Sequence, residues 1–181
     1  LHIGSFIAVI FYFYKDIINF YENKILFFKI VIASIPTMII GFYLVKFGAI
    51  EKIRNLEIIA WTTLIFGLIL YISDRFELKK KINDDLNIKS VFFIGFFQIL
   101  SLIPGVSRSG IAITAARFLK FKRIDAAKIS FFLSIPILGA VSVFGFMNII
   151  FSKDSNFTII NLIAIIFSFI FSFLTIKYFL K

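Results

Sequence analysis

The chain has 181 residues, 60% of them hydrophobic and 27 of them Phe, and a formal net charge of +10. Its mean hydropathy of +1.00 excludes a water-soluble domain, because a core of this size could not hide so much apolar surface. The absence of cysteine excludes disulfide and thiol chemistry, and the basic residues sit in short loops between apolar runs, a pattern of positive-inside membrane topology and not of nucleic-acid binding.

In chain order, charge-free runs cover residues 1–14, 30–45, 58–73, 90–107, 129–152 and 155–176. About 20 apolar residues span a bilayer as a helix. The runs at 129–152 and 155–176 reach that length, whereas 30–45 and 58–73 hold 16 residues each. These two span if Lys29, Lys46 and Arg75 snorkel to the interface and lengthen the helices. All six tyrosines, at 12, 14, 21, 43, 71 and 178, fall at or near the ends of apolar runs, as an interfacial aromatic belt requires. The predicted fold is all-α, a polytopic membrane bundle forming one domain over 1–181. The opening run starts at Leu1 without a Met and is too short for a complete span, so the chain is expected to be a fragment. No charged leader or small-residue cleavage site precedes that run. The connection at 74–89, with Lys79-Lys80-Lys81 and Asp84-Asp85, is the most hydrophilic stretch and reads as an ordinary loop.

The segment 90–120 breaks the pattern. Two apolar stretches, 91–103 and 111–119, flank Pro104-Gly105 and Ser107-Arg108-Ser109, and neither can cross alone. They form either one broken span or a re-entrant hairpin. Loop charge separates the two: a re-entrant hairpin puts 15 Lys and Arg on one side against 4 on the other, whereas a single crossing gives 9 against 10. Since cytoplasmic loops collect basic residues, the prediction is a re-entrant hairpin whose tip, 104–110, lies within the membrane and is reached from the outer side.

Irregular backbone at membrane depth survives only where protein covers it or it lines a polar cavity. Pro104 ends the first half-helix, Gly105 and Gly110 permit close or unusual backbone paths, and Ser107 or Ser109 can cap the second half-helix. Arg108, the only charge between Lys89 and Arg117, is costly at that depth unless an anion offsets it. A guanidinium fork, two hydroxyls and a helix N-terminus converge on a phosphate-like group. The bland alternative pairs Arg108 with a carboxylate on another helix, yet no Asp or Glu lies inside any apolar run. Small residues after the tip, at Gly110, Ala112, Thr114, Ala115 and Ala116, suit close helix packing. Gln98 and Thr114 are candidates for the cavity wall, with inter-helix bonding the competing role for Gln98. Pro36 and Pro136 read as kinks, and His2 as interfacial or packed. A transporter or flippase of a phosphorylated lipid remains an alternative, since carriers also aim half-helix N-termini at anions; a structural membrane subunit is a third.

The string Pro104-Gly105-Val106-Ser107-Arg108-Ser109-Gly110, with Gly95-Phe96-Phe97-Gln98 before it and the stretch from Ser130 to Ala140 after it, resembles the undecaprenyl-diphosphate phosphatases, the bacitracin-resistance family of bacterial membranes. Leu1-His2-Ile3-Gly4 matches a further family segment. The resemblance implies hydrolysis of undecaprenyl diphosphate, with Arg108 and Ser107 in the catalytic machinery and Gly105, Ser107, Arg108, Ser109 and Gly110 holding the phosphate. Ser107 as nucleophile ranks below a role in orientation. The family's acidic motif, its Ser-Thr-Gly-His loop and an inverted-repeat partner of the hairpin are not found in this sequence, so the chain alone is expected to be inactive. A divalent cation, Mg2+ or Ca2+, is implied by the family with its ligands outside this chain. The implied partners are a polyprenyl diphosphate lipid, the bilayer and a second copy as a homodimer, in the plasma membrane. Ala112 stands where the family often has Thr.

Overall fold

A computed structural model describes residues 2–15, 17–18, 24–75, 80–82, 86–151 and 159–180. The predicted features at Leu1, Tyr21, Lys79, Asp84-Asp85 and the connection at 152–158 lie outside the described residues. Helices run over α1 (His2–Tyr12), α2 (Lys24–Lys46), α3 (Ala49–Ile53), α4 (Leu56–Ser73), α5 (Ile88–Ile99), α6 (Arg108–Phe118), α7 (Arg123–Phe151) and α8 (Ile159–Phe179). A 3-10 turn at Leu100–Leu102 extends α5, and among the described residues the only β pairing is an isolated parallel bridge between Lys80 and Phe121. Four helices, α2, α4, α7 and α8, are long and apolar enough to cross a membrane. The protein is an all-α, multi-pass membrane bundle.

Lengths follow from where charge can be tolerated. The 16-residue run at 30–45 grows into the 23 residues of α2 because Lys29, inside the helix, reaches the carbonyl oxygen of Leu86. The side chain of Arg75, just beyond α4, lies over the Tyr71 ring, 4.7 Å from its centroid. Asn55 and Asn87 start α4 and α5 by accepting the backbone N–H of Ile58 and Ser90, each at 2.8 Å, the N-cap geometry that satisfies an otherwise orphaned donor. Pro36 and Pro136 sit inside continuous helices.

Two compact units can be distinguished, Leu1–Leu26 with Ser134–Lys181, and Phe27–Leu133. In the first, α1 lies against α8 so closely that a Cβ on Gly4 would stand 2.3 Å from the Ile165 carbonyl oxygen. Ser5 Oγ bonds Ser168 Oγ at 3.1 Å and Ser172 Oγ at 2.9 Å. Small residues and hydroxyls are what bring helices together where lipid removes the hydrophobic incentive.

In the second unit α5 and α6 pack against each other as the arms of a hairpin, and both arms return to one end. Lys80 donates to Lys120 O and accepts from Lys122 N, each at 3.1 Å. Arg117, fully buried, pairs with Asp74 Oδ1 at 2.6 Å and donates to Asp74 O at 2.7 Å, while Arg123 pairs with the same carboxylate. The open end thus sits at the C-terminus of α4. The tip meets α4 at Ile59, Thr62 and Thr63, 11 to 15 residues before Asp74, or about 17 to 22 Å of helix. Its deepest contact, at Ile59, lies about one turn inside the start of α4. The two arms therefore form a helical hairpin closed at one end by hydrogen bonds and ion pairs.

Candidate functional site

The tip is shaped by what its backbone lacks. Pro104 has no N–H to continue the helix, and Gly105 takes φ +91°, a conformation that only glycine adopts without strain. A Cβ on Gly105 would stand 2.2 Å from Thr62 Oγ1 and 2.6 Å from Ile59 O. The tip carbonyls are satisfied from α4: Thr62 donates to Pro104 O at 2.7 Å and Thr63 to Gly105 O at 3.0 Å. Neither threonine was singled out from the sequence. The available signal was a Thr-Thr pair inside an otherwise apolar span, where each hydroxyl needs a partner.

The second half-helix opens at the tip. Ser107 is its N-cap, accepting the N–H of Gly110 at 3.2 Å through its side chain and that of Ile111 at 2.9 Å through its carbonyl. The N–H groups of Arg108 and Ser109 have no acceptor among the described residues, so α6 presents two free donors and the positive end of its dipole. Ser107 Oγ and Ser109 Oγ lie 3.3 Å apart, and both residues are exposed beside the half-buried Arg108. Among the described residues Arg108 forms no ion pair, in contrast to Arg117. Ser130 on α7 donates to Ser109 O at 3.2 Å and fixes this first turn.

Of the phosphate-binding residues expected from the sequence, Gly105, Ser107, Arg108, Ser109 and Gly110 all fall within this tip and first turn. Gly110 departs from expectation in one respect. It is an ordinary helical residue without positive φ, and its small size matters for the Ser107 cap, which a Cβ would crowd at 3.1 Å. Gln98 and Thr114 are each only 1% exposed; the Thr114 hydroxyl donates to Gly110 O at 2.8 Å. The small residues Ala112, Ala115 and Ala116 are fully packed, as their size suggested.

Two free amides at a helix N-terminus, a guanidinium and two hydroxyls at one exposed turn can together bind a tetrahedral oxyanion and stabilise negative charge that builds on it. Among the described residues no group of three His, Cys, Asp or Glu comes together to hold a metal ion.

The sequence profile described as Bacitracin resistance protein BacA matches residues 1–181. The chain is 46% identical over 181 residues to a protein of Pelagibacter ubique (strain HTCC1062) named undecaprenyl-diphosphatase, covering 99% of this chain and 70% of that protein. Proteins with the same name in Jannaschia sp. (strain CCS1) and Saccharophagus degradans are each 37% identical, covering 86% and 100% of this chain and 63% and 72% of their own lengths. The chain therefore spans between three-fifths and three-quarters of the length of these three relatives.

Proposed function

From the premise that the chain belongs to the bacitracin resistance protein BacA family, we propose that it carries the phosphate-binding half of an undecaprenyl-diphosphate hydrolase. The reaction yields undecaprenyl phosphate and inorganic phosphate, which returns the lipid carrier to cell-wall synthesis and underlies bacitracin resistance. The observation that supports this most is the turn at 107–109, where Arg108, two amides without an acceptor among the described residues and two hydroxyls meet at a helix N-terminus.

Hydrolysis of a phosphoanhydride gathers charge on the transferred phosphoryl oxygens and on the bridging oxygen that leaves with the lipid. Arg108 answers that charge with a planar fork, and the free N–H groups of Arg108 and Ser109 add fixed dipoles that need no reorganisation. Ser107 and Ser109 orient the group. The Ser107 hydroxyl is engaged as a helix cap, with no base on it among the described residues, which favours orientation over nucleophilic attack. The described residues do not fit the divalent cation that the resemblance implies, so no step is routed through one.

The proposed setting is the bacterial plasma membrane, with the tip open to the outer side. The basic residues at the hairpin's open end, Arg117, Lys120, Lys122 and Arg123, favour the cytoplasmic side for that end. A polyprenyl diphosphate would then lay its tail along the lipid-facing helices and its head group at 107–109.

The deciding experiment is phosphate release from undecaprenyl diphosphate by the intact protein beside its Arg108→Lys variant. Lysine keeps the charge and loses the fork, so turnover should fall at least about a hundredfold with folding retained. Binding of the lipid without any phosphate release would replace the hydrolase with a carrier.

A further inference from the structure

Among the described residues four buried side-chain atoms have no hydrogen-bond partner: Thr37 Oγ1, Gln98 Oε1, Arg117 Nε and Ser142 Oγ. Arg117 Nε belongs to a guanidinium already paired through its other nitrogens, and Ser142 lies far along α7. The remaining two belong to α2 and α5, helices in direct contact. A Cβ on Gly95 would stand 2.4 Å from Ala33 O and 3.0 Å from Ala33 Cα, so the two backbones touch there. Lys29 reaches Leu86, and a Cβ on Gly41 would meet the Leu102 side chain at 3.2 Å. These three contacts make α2 and α5 parallel and set their register. Thr37 lies midway between Ala33 and Gly41, and Gln98 midway between Gly95 and Leu102. The two orphaned oxygens are therefore level with each other at one interface, Thr37 being 3% and Gln98 1% exposed.

Thr37 is also unusual within its helix. Ser34, Thr62, Thr114 and Thr175 each return their hydroxyl to the carbonyl four residues back, at 2.8 to 2.9 Å. For Thr37 that acceptor is Ala33 O, the carbonyl pressed against Gly95, and its hydroxyl does not take it. A hydroxyl buried in the membrane interior without a partner is unfavourable, and Gln98 offers an acceptor at the same level.

We propose that Thr37 and Gln98 form a polar clasp, the Thr37 hydroxyl and the Gln98 side-chain carbonyl both bonding one buried water between them, and that this clasp is a positioning device for the tip. Gln98 lies six residues before Pro104, so the clasp fixes the depth at which α5 gives way to the phosphate-binding turn. Neither residue touches the substrate. The catalytic part of the proposal rests on the hydrolase reading; the clasp itself does not.

The test compares the intact protein with Thr37→Val, Gln98→Met, the double variant and Thr37→Ser, reading phosphate release, thermal midpoint and hydrogen exchange at tip amides 105–110. Each apolar single variant should lower kcat at least about tenfold with KM changed less than about twofold, the signature of misplaced chemistry rather than weakened binding. Thr37→Ser should retain activity. The double variant should be no worse than the poorer single, because removing both partners leaves no orphan. A Thr37→Val protein that does not fold, beside a double variant that does, carries the same meaning. Effects that multiply in the double variant, or a Thr37→Val enzyme with unchanged kcat and tip exchange, overturn the clasp. If the parent releases no phosphate, the hydrolase reading fails while tip exchange and thermal midpoint still decide the clasp: coupled loss supports it, and additive or absent loss overturns it.

Discussion

Gly105 is the residue on which the tip most directly depends. Its φ of +91° and the 2.2 Å approach of a Cβ to Thr62 Oγ1 combine backbone strain with a clash against atoms that themselves hold the tip. Gly105→Ala should destabilise the hairpin by about 3 kcal/mol or more, visible as a lowered thermal midpoint with loss of turnover; an alanine variant of native stability would refute the tight α4 contact. Gly110, helical and less crowded, should tolerate alanine better. That difference was hidden in the sequence, where both glycines flank one motif and look alike. Arg108 was legible there because a lone charge in an apolar run has few explanations. Thr62 and Thr63 were not, because a hydroxyl in a helix usually bonds its own turn, and only the fold shows theirs reaching Pro104 and Gly105.

At the scale of elements, the hairpin is closed by one carboxylate. Asp74 caps the end of α4 and takes both Arg117 and Arg123, and the hydrogen bond from Arg123, together with the charge of both arginines, holds its carboxyl below the ordinary 3.8. A depressed carboxylate contributes stability above its unfolded value and loses it as pH falls through the folded one. The open end should therefore loosen on acidification below about pH 4. Asp74→Asn should reproduce that loosening at neutral pH and leave Arg117, fully buried, short of its counter-ion, a costly state. Hydrogen exchange at 117–122 reads this, and unchanged protection in Asp74→Asn would remove the ion pair from the account of the hairpin. The sequence showed these residues only as loop charge. Their pairing depends on α4 and α6 ending at the same height, which no local pattern encodes.

For the whole molecule, the topology has a direct check. The chain contains no cysteine, so single cysteines report sidedness cleanly. Lys122→Cys, at the hairpin's open end, and Lys52→Cys, on α3 beyond the other end of α4, should react with an impermeant maleimide from opposite sides, Lys122→Cys from the cytoplasm. Labelling from the same side would overturn the re-entrant arrangement. The membrane class, the four spans and the break at 104–110 were determined by sequence alone, because the bilayer imposes one length on every apolar helix and one price on every stray charge. Tertiary structure alone decided which partners these groups find: Thr62 and Thr63 for the tip carbonyls, Ser130 for the first turn of α6, and Asp74 for the buried arginine. Those pairings join residues from 21 to 43 positions apart, and hydrogen bonds across such separations depend on helix register, which only packing sets.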